Sequence, residues 1–126
     1  MSTELISRYL DVFGCAAGQP QERGIVKEVL EKYGIDNAVY FEWLVASGGG
    51  PIGPDWYDSP QELAKSQEKL NNEWPDETGF VIGWDGVGNP ILIQPSGQIY
   101  SPDHDFGQSM TMGESFEDLL KKALPN

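Results

Sequence analysis

The single histidine of the chain lies between two aspartates, in the segment Asp103-His104-Asp105. An imidazole beside carboxylates can bind a metal ion or act as a catalytic base. Metal binding is disfavoured because neighbouring residues of an extended chain point in opposite directions. Catalysis would need a nucleophile within hydrogen-bonding distance, and Ser101 and Ser109 are near only in sequence. We therefore expect a loop pinned by His104, with partner binding by Asp103 and Asp105 as the alternative.

Other residues whose types could carry out chemistry are better explained by structural roles. Acid pairs suited to glycosidic chemistry can be drawn from twenty acidic residues, but the sequence does not set their separation. The glycines at 48–50 lack the preceding strand and the following Lys-Ser or Lys-Thr of a phosphate-binding loop, so they predict a tight connection from helix to sheet. Cys15 is the only cysteine, which fits a reducing compartment. We expect no enzymatic activity, no cofactor and no metal.

The elements that would position these residues centre on the segment from Gly79 to Asp105. Its short apolar runs are rich in β-branched and aromatic residues and are separated by Gly, Asp, Asn and Pro. This pattern is typical of an antiparallel meander, and residues 110–112 add a last short strand. The predicted fold class is α+β, with a central twisted antiparallel sheet over about residues 79–113 flanked by N-terminal helices and a C-terminal helix.

Apolar residues at helical spacing predict three helices before the sheet. The first two cover about residues 3–13 and 21–33, and they form a helical N-terminal extension, residues 1–35, packed on a single domain of residues 1–126. The third begins after Asp36, which is a suitable N-cap, and ends at the glycine triplet.

Two capping boxes predict the remaining helices. Ser59-Pro60-Gln61-Glu62 starts a helix to about Asn71, and Ser115-Phe116-Glu117-Asp118 starts one to about Leu124. The segment before the first of them, residues 52–58, is predicted as an irregular loop or a short edge strand. A polar loop follows that helix, with Trp74 packed beneath the sheet.

The net charge is −12, from twenty acidic and eight basic residues. Residues 51–126 hold thirteen acids and four bases, a net charge of −9. Binding to nucleic acid or to an anionic membrane is disfavoured because both need clusters of Lys and Arg. A basic protein is the natural electrostatic partner, and the alternative is that acidity serves only solubility. Without a signal peptide or a membrane-length apolar run, we expect a cytoplasmic location.

Several motifs follow one another in a defined order along the chain. They are Phe41-Glu42-Trp43-Leu44 before the glycine triplet, Gly83-Trp84-Asp85-Gly86-Val87-Gly88-Asn89, Gly97-Gln98-Ile99-Tyr100, Asp103-His104-Asp105 and Ser115-Phe116-Glu117-Asp118-Leu119-Leu120. Over about residues 36–124 this order resembles the SUKH superfamily, which contains the yeast cell-wall-synthesis regulator and many bacterial immunity proteins. The resemblance implies an α+β domain whose central antiparallel sheet is flanked by helices.

Bacterial members of this superfamily are often encoded beside secreted toxins, frequently nucleases, and neutralise them by direct binding. The resemblance therefore implies a non-catalytic immunity protein whose partner is a basic toxin protein, such as a nuclease domain. Two alternatives stay open. One is a general regulatory or interaction scaffold, as for the eukaryotic relatives, and the other is a small-ligand-binding protein.

The candidate partner contacts are acidic and aromatic residues of the predicted loops. They are Asp55, Trp56, Tyr57, Asp58, Asp76, Glu77, Asp103 and Asp105. Trp and Tyr are over-represented at binding hot spots, although rings that cap the sheet would explain Trp56 and Tyr57 equally well. The residues of the family pattern are expected to shape turns and loops instead of binding a partner. They are Gly83, Asp85, Gly88, Asn89, Gly97, Tyr100 and His104.

Overall fold

The computed structural model describes residues 2–102 and 109–124. The helices in these ranges are α1 (Ser2–Phe13), α2 (Arg23–Lys32), α3 (Ala38–Ser47), α4 (Leu63–Glu73) and α5 (Phe116–Ala123). The strands are β1 (Gly50–Ile52), β2 (Asp55–Tyr57), β3 (Phe80–Trp84), β4 (Pro90–Ile93), β5 (Ile99–Pro102) and β6 (Ser109–Gly113).

The six strands form one antiparallel sheet in chain order, with β1 and β6 at its edges. The predicted α+β class is confirmed, with helices before the sheet and a helix after it. The predicted meander over residues 79–113 corresponds to β3–β6. The segment predicted as an irregular loop or short edge strand instead contributes to a hairpin, β1 and β2, which extends the sheet beyond β3.

The sheet is buried on both faces at β3. Phe80 and Ile82 lie in the main core, together with residues of α1, α2, α3 and α5. Val81 faces the other side and forms a second, smaller cluster with Leu70 of α4 and a residue of β4. Successive strand residues alternate between faces, so the two clusters lie on opposite sides of the sheet. Trp74 packs against this α4-side cluster, as predicted.

Trp43 of α3 occupies the centre of the main core. Its side chain is fully buried. The centroid of its ring lies 5.6 Å from that of Tyr9 in α1 and 5.3 Å from that of Phe116 in α5. Aromatic pairs at these separations add to the stability from burial alone. The first and last helices of the chain are therefore joined through one tryptophan.

The capping residues predicted from sequence are correct for α5 and partly wrong for α4. The Ser115 hydroxyl accepts a hydrogen bond from the Asp118 N–H at 3.0 Å, as a capping box requires. The predicted α4 start at Ser59 is wrong, because the helix begins at Leu63. One half of the expected box is present, since the Ser59 N–H donates to the Glu62 carboxylate at 2.9 Å.

The start of α3 also differs from the prediction, whereas its end agrees. Its N-cap is Asn37, whose side chain accepts from the Tyr40 N–H at 3.0 Å, and not Asp36. The helix ends at Gly48, which has a left-handed φ of 68°. A Cβ at Gly48 would lie 1.9 Å from the carbonyl oxygen of Gln19. The glycine triplet is thus a tight connection from helix to sheet.

Gly83 was expected to shape a turn, but it lies inside β3, where the neighbouring strand approaches closely. A Cβ at Gly83 would lie 2.6 Å from the carbonyl oxygen of Trp56 and 3.0 Å from the Cα of Tyr57. Gly88 and Gly97 do lie in turns and have positive φ values of 96° and 93°. The role of Gly83 is therefore to let β2 pack against β3.

Gly83→Ala should destabilise the protein, because the added methyl group would meet backbone atoms that cannot rotate away. We expect the free energy of unfolding to fall by about 1–3 kcal/mol, measured by urea denaturation. Gly86→Ala is the matched control, since a Cβ at Gly86 would have no neighbour within 4 Å and the φ of Gly86 is not positive. Its effect should stay within about 0.5 kcal/mol. Equal effects of the two changes would contradict this role for Gly83.

Candidate functional site

A tryptophan pair marks the end of the sheet where β2 meets β3. Trp56 of β2 lies directly opposite Trp84 of β3 in the antiparallel register. The Trp56 side chain is 51% exposed, whereas Trp84 is half-buried against the α4-side cluster. Directly opposed residues on neighbouring strands interact through their side chains. The exposed Trp56 and the half-buried Trp84 are therefore cross-strand neighbours on the same face of the sheet.

Trp84 is held from two directions by α4. Its indole N–H donates to the Ser66 hydroxyl at 3.0 Å. The Lys69 ammonium lies 4.4 Å from the centroid of its ring, a cation–π distance. Both contacts come from one face of α4, so the helix fixes the Trp84 ring.

A buried carboxylate completes this network. Asp58, which follows β2, is only 6% exposed and accepts a hydrogen bond from the Ser66 hydroxyl. Its backbone N–H donates to the Ile82 carbonyl at 2.8 Å, which ties it to β3. Burial raises the pKa of Asp58 to about 6, against the opposing effect of the Ser66 hydrogen bond. Charge repulsion from Glu62 raises it further, and Lys69 lowers it.

Two of the predicted partner contacts are corrected by this arrangement. Tyr57 is completely buried in the main core, with its ring centroid 6.3 Å from that of Trp43. Asp58 is buried and bonded to Ser66. Alternation along β2 sends Tyr57 inward and Trp56 outward, whereas Asp58 is covered by α4 through Ser66. Neither Tyr57 nor Asp58 therefore offers its side chain to a partner on the surface.

Asp55 and Asp85 lie close together at the same end of the sheet. Burial raises the pKa of Asp55, and the charge of Asp85 raises it further. Burial acts to raise the pKa of Asp85 too, but hydrogen bonds from Asn89, Val87 and Gly88 outweigh it and lower the pKa. The Asp85 carboxylate accepts from the N–H groups of Val87 at 2.9 Å and Asn89 at 2.8 Å. Asp85 therefore stays ionised while it closes its turn.

The other acidic candidates lie at the opposite end of β3. Asp76 is exposed in the segment that leaves α4. Glu77 is half-buried, and its carboxylate accepts a hydrogen bond from the Tyr100 hydroxyl. This contact ties the exit from α4 to β5. The structure thus does not bring Asp76 and Glu77 together with Asp55 and Trp56, and Asp103, His104 and Asp105 lie outside the described residues.

A cleft of about 430 Å³ opens beside Glu77, between α4 and the end of the sheet that carries Phe80 and Ile93. Glu77 is the one acid among the described residues that line it. Its carboxylate is already bonded to Tyr100. Within residues 2–102 and 109–124, no three histidine, cysteine or acidic side chains are grouped as metal ligands would be.

Three residues that organise the site were not among the sequence candidates. They are Ser66, Lys69 and Trp84. Trp84 belongs to the G-W-D-G motif, so the sequence carries a signal for it. The helical spacing of Ser66 and Lys69 places them on one face of α4, but nothing in the sequence says that this face meets Trp84.

Comparison with known proteins identifies no family for the chain. No protein-family model matches it, and no curated protein sequence matches it. In the part of the chain that the structure describes, no helix has the length and apolar character that a membrane crossing requires.

Asp58 should make the stability of the protein depend on pH. Its folded-state pKa of about 6 lies above the ordinary value of 3.8, so the folded state binds a proton more tightly than the unfolded state. The contribution of Asp58 to the free energy of unfolding should therefore be largest below about pH 4. That contribution should be lost as the pH rises through about 6. The expected loss is on the order of 3 kcal/mol.

The measurement is the free energy of unfolding of the wild type and of Asp58→Asn at a series of pH values between about 4 and 7.5. Acids that do not interact with Asp58 titrate equally in both proteins, so the difference between the two reports Asp58 together with its coupling to Glu62. Wild type should gain stability relative to the variant as the pH falls. A difference that is independent of pH would rule out a raised pKa at Asp58.

Proposed function

We propose that this chain is a non-catalytic protein-binding domain, an immunity protein of the cytoplasm that neutralises a basic, nuclease-type toxin by direct binding. One observation carries the proposal: a half-exposed tryptophan, Trp56, presented by a paired strand on the surface of a strongly acidic chain. We call its surroundings the Trp56 surface, made up of Asp55, Trp56, Lys69, Trp84 and Asp85. The resemblance to the SUKH superfamily supports the same function.

The position of Trp56 on a paired strand favours a role as a binding anchor. Tryptophan is among the residues most enriched at binding hot spots. Ordering a mobile side chain on binding costs free energy, and a side chain that is already fixed avoids part of that cost. β2, which carries Trp56, pairs with β1 and β3, and Trp84 on the opposite position of β3 is held by Ser66 and Lys69. The polar groups of Asp58 and Ser66 are occupied by hydrogen bonds to each other and to Trp84, which supports binding over catalysis.

The charge of the chain favours a basic partner. The net charge is −12, and among the described residues no basic group contributes to the raised pKa of Asp55 beside Asp85. A partner that brings Arg or Lys to this end of the sheet would relieve the repulsion between the two carboxylates. Complementary charge also accelerates association, which suits a protein that must capture a toxin before it acts.

The experiment tests binding to the product of the neighbouring gene, which this proposal expects to be a basic toxin domain. Both proteins are purified, and their affinity is measured by calorimetry at low and high salt. We expect tight binding that weakens as salt screens the charges. Co-expression should also protect cells from the toxin. A partner that is neither basic nor toxic would favour the regulatory scaffold instead, and saturable binding of a metabolite in the cleft beside Glu77 would favour a small-ligand-binding protein.

Trp56→Ala should weaken toxin binding by about 30-fold or more, because a buried anchor would be lost from the centre of the interface. Folding should persist, since the Trp56 side chain is already 51% exposed. Val87→Ala is the matched control: Val87 is 78% exposed in the neighbouring turn between β3 and β4. The control should bind within about twofold of wild type. Full affinity in Trp56→Ala would exclude this surface as the binding site.

A further inference from the structure

The cleft beside Glu77 is lined by four segments: the residues that follow α2, the helix α4, the residues that lead into β3, and the end of β4. Its volume of about 430 Å³ lies within the range of known binding pockets, roughly 300–1,000 Å³. Tyr33 is half-buried there, and its ring centroid lies 5.1 Å from that of Phe80. Leu70 and Ile93 add apolar side chains to the lining. The cleft therefore presents an aromatic and aliphatic lining to a ligand.

The amide side chains of the cleft leave few hydrogen-bond donors for a ligand. The side-chain NH₂ of Gln67 donates to two backbone carbonyls, at 3.1 Å and 2.7 Å, so both of its N–H groups are occupied. The side-chain NH₂ of Gln94 donates to the Thr78 carbonyl at 3.1 Å, which orients the Gln94 carbonyl oxygen as an acceptor. The third amide, Asn71, can both donate and accept. These groups favour a ligand that itself donates hydrogen bonds.

The charge of the cleft is negative. The Tyr100 hydroxyl donates to one oxygen of the Glu77 carboxylate, which leaves the second oxygen as an acceptor. Lysine, arginine and histidine are absent from the described residues that line the cleft, and no ion pair within residues 2–102 and 109–124 includes Glu77. The C-terminal end of α4 has no basic residue in its last turn and adds a partial negative charge. A cationic group therefore complements this cleft.

On the basis of the proposed function, we propose that the cleft beside Glu77 binds an arginine side chain of the basic partner, at a second contact separate from the Trp56 surface. A guanidinium carries five N–H donors in one plane, so it can donate to both Glu77 and Gln94 while its flat face lies against Tyr33. The Lys32 ammonium lies 5.6 Å from the centroid of the Tyr33 ring, so the arginine uses the other face or displaces it. Lysine fits less well, because its compact ammonium has three donors and no flat face.

One partner can reach both contacts because both adjoin α4. Lys69 of this helix contacts Trp84 at one end of β3, and Leu70 and Asn71 line the cleft at the other end. β3 has five residues, so its ends are roughly 13 Å apart. A protein interface of standard size covers about 800 Å² on each partner, which is wide enough for both contacts.

The first test needs no toxin. The isotope-labelled full chain is titrated by NMR with acetyl-Gly-Arg-Gly-amide and, for comparison, with acetyl-Gly-Gln-Gly-amide. The arginine peptide should shift the amide signals of Gly79 and Gln94 with a Kd on the order of millimolar, because a single side chain makes few contacts. The amide signal of Val87, beyond the other end of β3, should not move. The glutamine peptide should bind at least about fivefold more weakly, since it lacks the charge.

Two variants test the role of the Glu77 charge. Glu77→Gln keeps an oxygen that can accept from Tyr100, so folding should persist, and it should weaken binding of the arginine peptide by at least about fivefold. Asp76→Asn is the matched control, because it removes the same charge from the neighbouring residue, which is exposed and does not line the cleft. Its effect should stay within about twofold, as expected for a screened surface charge.

The toxin complex distinguishes failure of the arginine contact from failure of the proposed function. Glu77→Gln should weaken toxin binding by about tenfold, and Asp76→Asn by no more than about twofold. A toxin that binds both variants equally would overturn the arginine contact and leave the immunity function standing. So would arginine and glutamine peptides that bind alike, or that both fail to bind. An arginine peptide that binds only when Glu77 is present, to a chain without affinity for the toxin, would support the arginine site and overturn the proposed function.

Discussion

The architecture depends on burying both faces of β3 and β4. Val81 and Leu92 are completely buried on the side of the sheet opposite the main core. Strands that are apolar on both faces need a cover on each side. On the α4 side, the described part of the chain supplies one helix for that purpose. The position of α4 therefore determines which residues remain exposed on this side of the sheet. Trp56 is one that α4 leaves exposed.

A buried carboxylate is a costly way to fix this helix. Ionised Asp58 pays for desolvation, and a single hydrogen bond from Ser66 offsets only part of that cost. The same hydroxyl accepts from Trp84, so one serine links β2, α4 and β3. An apolar residue at position 58 would avoid the desolvation but would leave Ser66 without an acceptor. The network thus gives up stability for a fixed orientation of the Trp84 ring.

The sequence predicted the fold class and β3–β6 because their signals are local: apolar runs of β-branched residues between turn-forming residues. It did not separate β1 from β2, since three-residue strands are too short to show a period. It also missed the bond between Asp58 and Ser66, because their meeting depends on how α4 packs against the sheet. The sequence placed Tyr57 and Asp58 in one loop with Trp56, but alternation along β2 turns Tyr57 inward, and α4 covers Asp58.

The turn formed by residues 85–89 cannot be separated cleanly from the surface beside it. Asp85 was expected only to shape this turn, and its carboxylate does accept hydrogen bonds from Val87 and Asn89. Those same hydrogen bonds lower the pKa of Asp85 and hold its carboxylate in one orientation. A carboxylate held in this way loses little conformational freedom when it meets a cation. The residue that closes the turn therefore also provides a fixed negative charge next to Asp55, so a structural role and a binding role are compatible at one position.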